Sequence, residues 1–268
     1  MVKKRILYVS QEITPYLPEN DLSKTSRFLP QAMNESGIDV RLFMPRFGCI
    51  NERRHQLHEV IRLSGMNLIV NDIDQPLIIK VASIPQARMQ VYFIDNEEYF
   101  KRKFTTEDKK GDFYSDNDER ALFFCRGVIE SVKKLGWSPD VIHCNGWMAS
   151  FLPMYLKKFY HDDPIFEKTK IVVSLYNQSF EGTLSDGLTD KLKFDGYSED
   201  ELAGFEKADY KKLAETAINF SDAVIKGSTE LDEDLLKLIE DSKLPTLEYS
   251  DGEYKEQYKP FYETLFEE

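Results

Sequence analysis

A chain of 268 residues, 41% hydrophobic and 31% charged, is long enough to bury a substantial core as one α/β domain or two smaller ones. Its net charge of −12 leaves no basic surplus to neutralise phosphates, which disfavours nucleic acid, and no nucleic-acid partner is expected. No apolar run approaches the roughly 18–20 residues that span a bilayer, so no membrane association is expected and the cytoplasm is the expected location.

The first strand is expected at Arg5–Ser10, where Ile6, Leu7 and Val9 suit a strand covered on both faces. The basic residues before it resemble the start of a secretory signal, but the apolar run is shorter than the roughly 7–15 residues such a signal needs. A polar loop with Pro15 and Pro18 leads to a helix over residues 22–36, with Asp21 as the expected N-cap and Gly37 just past its end. Pro30 inside it predicts a kink or a late start. A second strand at 40–44 completes a right-handed βαβ unit. Residues 58–95 read as inserted β-hairpins, and residues 101–115 as a solvated loop.

A long helix is expected from 116 to 135, with Asp116 and Asn117 as caps and Gly136 at its end. Then follow a strand at 140–144, a helix at 147–160, a strand at 170–175 and a long polar loop from 182 to 204. The last elements are a helix at 206–218, a strand at 223–226 and a helix at 229–241. Strands alternating with helices imply a doubly wound, Rossmann-like open parallel sheet with the hairpins inserted. The expected division is a domain over 1–246 and an acidic, aromatic tail over 247–268. Tyr254, Tyr258, Phe261, Tyr262, Leu265 and Phe266 recur there at helical spacing, which suits a helix packed back on the domain or a docking surface for a protein partner.

Cys49, Cys125 and Cys144 are odd in number and scattered, which argues against a disulfide framework and a structural zinc site and predicts buried, reduced thiols. No metal ligand set and no cofactor is expected. His55 and His58, three apart, read as a surface pair.

In such a fold ligands bind beyond the carboxyl ends of the strands. Three loops leave those ends: 12–22, 143–147 and 176–182. The first contains no glycine, so a dinucleotide or Walker-type phosphate cradle is not supported. Glu12 and Glu181 could form an acid/base couple across the sheet end. His143 suits either a catalyst or a hydrogen-bonded structural residue. Trp147 suits either stacking on a sugar ring or plain packing. Asn145, Asn177 and Gly182 complete the candidate set for a sugar or glucan.

Several segments, in order, resemble the bacterial glycogen synthase and plant starch synthase family. Ile6-Leu-Tyr-Val-Ser-Gln-Glu-Ile-Thr-Pro-Tyr16 is similar to its V-x-S-E-[IV]-x-P-[FY] opening. Leu29-Pro-Gln-Ala-Met, Gly37-Ile-Asp-Val-Arg and Met44-Pro-Arg-Phe-Gly48 resemble its L-P-x-A-L, G-H-x-V and P-x-Y segments. Tyr114-Ser-Asp-Asn-Asp-Glu-Arg120 resembles Y-x-D-N-x-x-R, and Pro139-Asp-Val-Ile-His-Cys144 with Trp147 resembles P-D-[VI]-[VI]-H-x-H-D-W-H. Ser221-Asp-Ala-Val and Gly227-Ser-Thr resemble the family's A-D-x-[VI] and T-T-V-S-P-T segment.

The resemblance implies one half of a GT-B glycosyltransferase, related to α-1,4-glucan synthesis from ADP-glucose. It implies that this half supplies mainly the acceptor side and that the donor-binding half lies outside the chain. It also exposes departures. The family's K-T-G-G-L loop, which grips the sugar nucleotide, falls on Pro18-Glu-Asn-Asp-Leu22. The aspartate of H-D-W-H falls on Gly146, its flanking histidines on Asn145 and Met148, and the histidine of T-[VI]-H-N on Tyr176. Anionic side chains in place of a cation would repel a diphosphate. The expectation is a pseudoenzyme when alone, binding a glucan, a sugar, a sugar nucleotide or a protein partner. The alternative is an active glucosyltransferase whose donor half comes from a second chain.

Overall fold

Apolar runs that are buried on both faces need cover on both faces, and the chain supplies it. The computed structural model describes residues 3–266. Its sheet runs β10-β9-β8-β7-β1-β2-β6-β5-β3. The core strands are β1 (Arg5–Ser10), β2 (Asp39–Pro45), β7 (Val141–Asn145), β8 (Lys170–Leu175) and β9 (Ala223–Lys226), all parallel. Thr246–Leu247 (β10) adds a short parallel edge.

The inserted segment forms β3 (His58–Glu59), β4 (Met66–Val70), β5 (Ile73–Ile84) and β6 (Met89–Asp95). Antiparallel hairpins are present as expected, since β5 pairs with β4 and β6. The last strand does more than close a hairpin: β6 runs parallel to β2 and so extends the main sheet.

Helix α1 (Asp21–Glu35) is capped by Asn20, not Asp21; the Asn20 side chain accepts from the Ser23 N–H at 2.7 Å and the Ser23 hydroxyl bonds back to the Asn20 N–H. This reciprocal box satisfies two free donors of the first turn. Pro30 lies inside α1 and is itself buried, so it neither delays nor ends the helix; packing of the face formed by Leu22, Leu29 and Met33 holds it. Short helices α2 (Glu52–His55) and α3 (Glu97–Phe100) flank the hairpins.

Helix α4 (Asn117–Leu135) ends on Gly136 in the left-handed region. Asp116 stands at the N-cap position, but neither its side chain nor that of Asn117 caps the first turn. Asp116 instead ion-pairs with Arg102, and the Asn117 amide donates to the Thr106 carbonyl at 2.7 Å. The helix expected at 147–160 is a 3-10 turn over Trp147–Ala149 followed by α5 (Phe151–Phe159).

The segment 182–204, expected as a loop, contains α6 (Leu188–Phe194). Its anchor is tertiary: the buried Lys191 ammonium meets Asp118 at 2.7 Å and Glu119 at 2.9 Å. Helices α7 (Tyr210–Asn219) and α8 (Glu233–Ser242) start later than expected; Asp209 caps α7 by accepting from the Lys212 N–H. The tail forms a π-helical turn over Tyr254–Tyr258 and α9 (Lys259–Phe266).

Cys125 and Cys144 are buried free thiols as expected, but Cys49 is exposed in the loop after β2. Among the described residues no helix is long and apolar enough to cross a membrane. Nor does any group of three or more His, Cys, Asp or Glu among them suit a metal ion.

Candidate functional site

Strand β1 lies between β7 and β2, so the connections leave its two sides in opposite directions and a crevice opens at its carboxyl end. The loop after β1 does not leave that crevice empty. The Gln11 N–H donates to the Asn145 carbonyl at 2.9 Å, and the Gln11 side-chain oxygen accepts from the Met148 N–H at 3.2 Å. Gly146 makes this approach sterically feasible. A Cβ there would stand 2.7 Å from Gln11 Cβ and 2.8 Å from Leu22 Cδ1, and its φ of +87° is in glycine territory. Any side chain at this position would have to push the β1 loop and α1 away.

The next strand end is also filled. Tyr176 is buried and donates through its hydroxyl to Asn145 Oδ1 at 2.8 Å. Its ring lies across Gly227, where a Cβ would come within 2.5 Å of Tyr176 Cε1. Burial pushes the Tyr176 phenol well above its ordinary pKa, so it stays neutral. Asn145, also buried, is thereby committed to Tyr176 and to the His143 carbonyl.

His143 does not face the mouth. It points to the sheet face covered by α9, with Nδ1 2.7 Å from the Tyr262 hydroxyl and Nε2 2.6 Å from the Ser174 hydroxyl. It is fully buried, and desolvation lowers its pKa to about 3. Here His143 is a hydrogen-bonded interior residue turned away from the mouth. The tail packs back on the domain over its described residues, and residues 267–268 lie outside them. Tyr258, Tyr262 and Leu265 are buried against the domain, and Tyr254, Phe261 and Phe266 are partly buried.

Trp147 is 5% exposed, with ring centroids 5.7 Å from Phe113 and 5.1 Å from Phe180. Phe113 and Phe180 stack on each other at 4.7 Å. Packing is therefore the observed state of Trp147.

Glu12 is partly buried and accepts from the Asn20 amide at 2.6 Å; burial raises its carboxyl pKa against the pull of that hydrogen bond. Glu181 is exposed, as are Asn177 and Gly182, in the loop beyond β8. Among the described residues no hydrogen bond joins Glu12 to Glu181. Pro18 contributes only its carbonyl, which accepts from the Ser23 hydroxyl at 2.9 Å.

Beyond the strand ends lies a cleft of about 480 Å³ lined by Asn20, Asp21, Asn177, Gln178, Ser228, Thr229 and Glu230; two neighbouring clefts, of about 490 and 450 Å³, include Lys211 and Lys226. The first contains amides, hydroxyls and two carboxylates, but neither lysine nor arginine. Basic side chains near the other strand ends are held by acids: Arg46 by Asp95 at 2.9 Å, Lys80 by Asp95 at 3.0 Å, and Lys226 by Glu248 at 2.9 Å. Sequence reasoning placed Asn177 here but missed Asn20, Gln178 and the Ser228–Glu230 stretch. The available signal was the rule about strand carboxyl ends, applied to β1, β7 and β8 but not to β9.

Comparison with known proteins agrees with this architecture. The chain is 38% identical over 189 residues to a glycogen synthase of Chlorobium luteolum, covering 70% of this chain and 39% of that one. It is 34% identical over 229 residues to a glycogen synthase of Chlorobaculum parvum, covering 84% and 46%. The chain thus spans less than half the length of these curated relatives. Among solved structures, the catalytic domain of Starch Synthase IV from Arabidopsis thaliana, bound to ADP and acarbose, superposes with a TM-score of 0.69 at 18% identity. That likeness covers 83% of this chain and 44% of the other, and shows the doubly wound GT-B half as the shared fold. The family model for the starch synthase catalytic domain matches residues 5–244, and the chain belongs to that family.

Proposed function

We propose that this segment binds a neutral, hydroxyl-rich ligand, an α-glucan or shorter sugar, and by itself does not transfer glucose from ADP-glucose. The observation that carries the reading is the cation-free lining of the cleft between Asn20 and Glu230, where Asp21 and Glu230 would repel a diphosphate. Amides, hydroxyls and carboxylates suit sugar hydroxyls, which both donate and accept. The likeness to glycogen synthases and to a starch synthase bound to ADP and acarbose supports a sugar nucleotide or a glucan as the ligand class. The charge of the cleft favours the glucan. Removing a single group that stabilises developing charge costs about 10²–10³ in rate, and here several such positions are changed.

Calorimetry of the purified chain with maltoheptaose, ADP and ADP-glucose tests the reading, together with glucose incorporation into glycogen. Maltoheptaose is expected to bind, the two nucleotides to bind at least tenfold more weakly, and incorporation to stay at background. Robust incorporation by the chain alone would overturn the inactive reading. Incorporation that appears only on adding a second chain would select the split-enzyme alternative.

A further inference from the structure

Strand β10 runs parallel to β9, with Thr246 beside Val224 and Leu247 beside Ile225. Its carboxyl end therefore opens on the same side as the ends of β8 and β9, and the residues that leave it come to the ligand face of the sheet. Continued by one step, this register sets Glu248 beside Lys226, and the two ion-pair at 2.9 Å. Tyr249 follows, next to the stretch from Gly227 to Glu230. The tail that supplies it begins where the family match, at residue 244, has ended.

A cleft of about 450 Å³ lies there, lined by the apolar Leu231, Leu236 and Tyr249 as well as by polar groups. It shares Ser228, Thr229 and Glu230 with the cation-free cleft of about 480 Å³, so the two adjoin as parts of one groove. Each is of the size that holds a small ligand, roughly 300–1,000 Å³. Burial, and then the charges of Asp251 and Asp21, hold the Tyr249 phenol above its ordinary pKa, against the pull of the Thr229 hydroxyl. The phenol is thus close to Thr229, which is common to both clefts, and within the field of Asp21, which lines the far one. Its side chain is only partly buried, and among the described residues no aromatic ring or cation packs on its face. An open aromatic face beside hydroxyls and carboxylates matches a sugar ring, which has an apolar C–H face and a rim of hydroxyls.

We propose that Tyr249 is the stacking platform for an α-1,4-glucan in this groove, which makes the tail part of the binding site as well as a cover for the sheet. This rests on the glucan reading of the neighbouring cleft and extends it to a second subsite. One glucose unit lies in the cleft between Asn20 and Glu230, and another lies on the Tyr249 ring, with Thr229 at the junction. Lys226 is held by Glu248, so this subsite, like its neighbour, offers a diphosphate no net positive charge.

Calorimetry with maltoheptaose and maltose, on the native chain and on Tyr249 variants, tests the platform. Tyr249→Ala is expected to weaken maltoheptaose binding about three- to tenfold. Tyr249→Leu, which keeps bulk but has no aromatic face, is expected to follow it, whereas Tyr249→Phe should stay within about twofold of the native chain. Maltose is short enough for the first cleft alone and is expected to lose less than maltoheptaose. Hydrogen exchange with mass spectrometry on the native chain is expected to show maltoheptaose protecting residues 246–253 together with 226–232. Urea midpoints check that each variant is folded, and should Tyr249→Ala not fold, the exchange pattern and Tyr249→Leu decide.

If maltoheptaose binds the native chain and the folded Ala or Leu variant equally, or leaves 246–253 unprotected, the platform is wrong and the glucan reading survives. If Tyr249→Phe loses as much as Tyr249→Ala, the hydroxyl makes the contact and stacking is wrong. If maltoheptaose does not bind the native chain, the glucan reading fails and the platform fails with it.

Discussion

At His143 a residue type that suggests chemistry serves the interior of the fold. Both ring nitrogens have hydroxyl partners, Tyr262 and Ser174, and full burial keeps the imidazole neutral. Its pKa falls from an ordinary 6.5 to about 3. Between those values the unfolded chain binds a proton that the folded chain refuses, so the stability contribution is complete above pH 6.5 and is lost as pH falls towards 3. Each pH unit inside that window removes about 1.4 kcal/mol. The carboxyls of Glu12, Asp118 and Asp195, raised by burial, work in the opposite direction but are common to both proteins compared. His143→Gln is therefore expected to be less stable than the native chain at pH 7, yet to lose stability less steeply between pH 6.5 and 4.5. Urea midpoints at half-unit pH steps read this directly, and parallel slopes would refute it. The sequence left two roles open for His143 because position at a strand end looks the same whether the side chain turns to the mouth or to the opposite face.

For elements, legibility followed burial. Strands β1, β8 and β9 were readable to within a residue because each is a short apolar run whose two faces are covered. Helix α6 was not readable. Only Leu188 and Leu192 mark its apolar side, no side chain caps it, and it lies between glycines. What holds it is a contact 73 residues away in sequence, from Lys191 to Asp118 on α4, which no local pattern announces. Asp118 is fully buried, so breaking the pair leaves an uncompensated charge in the interior. Lys191→Met is expected to cost about 3–5 kcal/mol, whereas adding Asp118→Leu should recover a good part of that loss. Chemical denaturation of the two single variants and the double variant supplies the cycle. A Lys191→Met loss below about 1 kcal/mol would show that α6 is held by its leucines alone. The cap of α1 illustrates the same limit on a smaller scale, since Asn20 and Asp21 are both good caps and only the backbone geometry chooses between them.

Over the whole molecule the doubly wound sheet and the family were both legible, because each depends on many positions at once. The inventory of the cleft was less so. Gly146 and Tyr176 read as missing functional groups, and the structure adds that their neighbours have closed in, with Gln11 and Leu22 over Gly146 and Gly227 under Tyr176. Restoring an aspartate or histidine there would thus need loop movement as well as new chemistry. Charge at the cleft rim is the simpler variable. The chain carries −12 overall, and Asp21 and Glu230 are two of its carboxylates that line this cleft. Neither carboxylate makes a side-chain ion pair among the described residues, so both can be reversed without stranding a partner. The double variant Asp21→Lys, Glu230→Lys is expected to tighten the ADP Kd by about tenfold or more at low ionic strength, and most of that gain should vanish at about 0.5 M salt as screening shortens the reach of the charges. Maltoheptaose, being neutral, should bind the variant and the native chain within about twofold of each other at both salt concentrations. If ADP affinity stays flat while the variant remains folded, charge is not what keeps nucleotides out, and the closed-in crevice at Gly146 and Tyr176 becomes the reason.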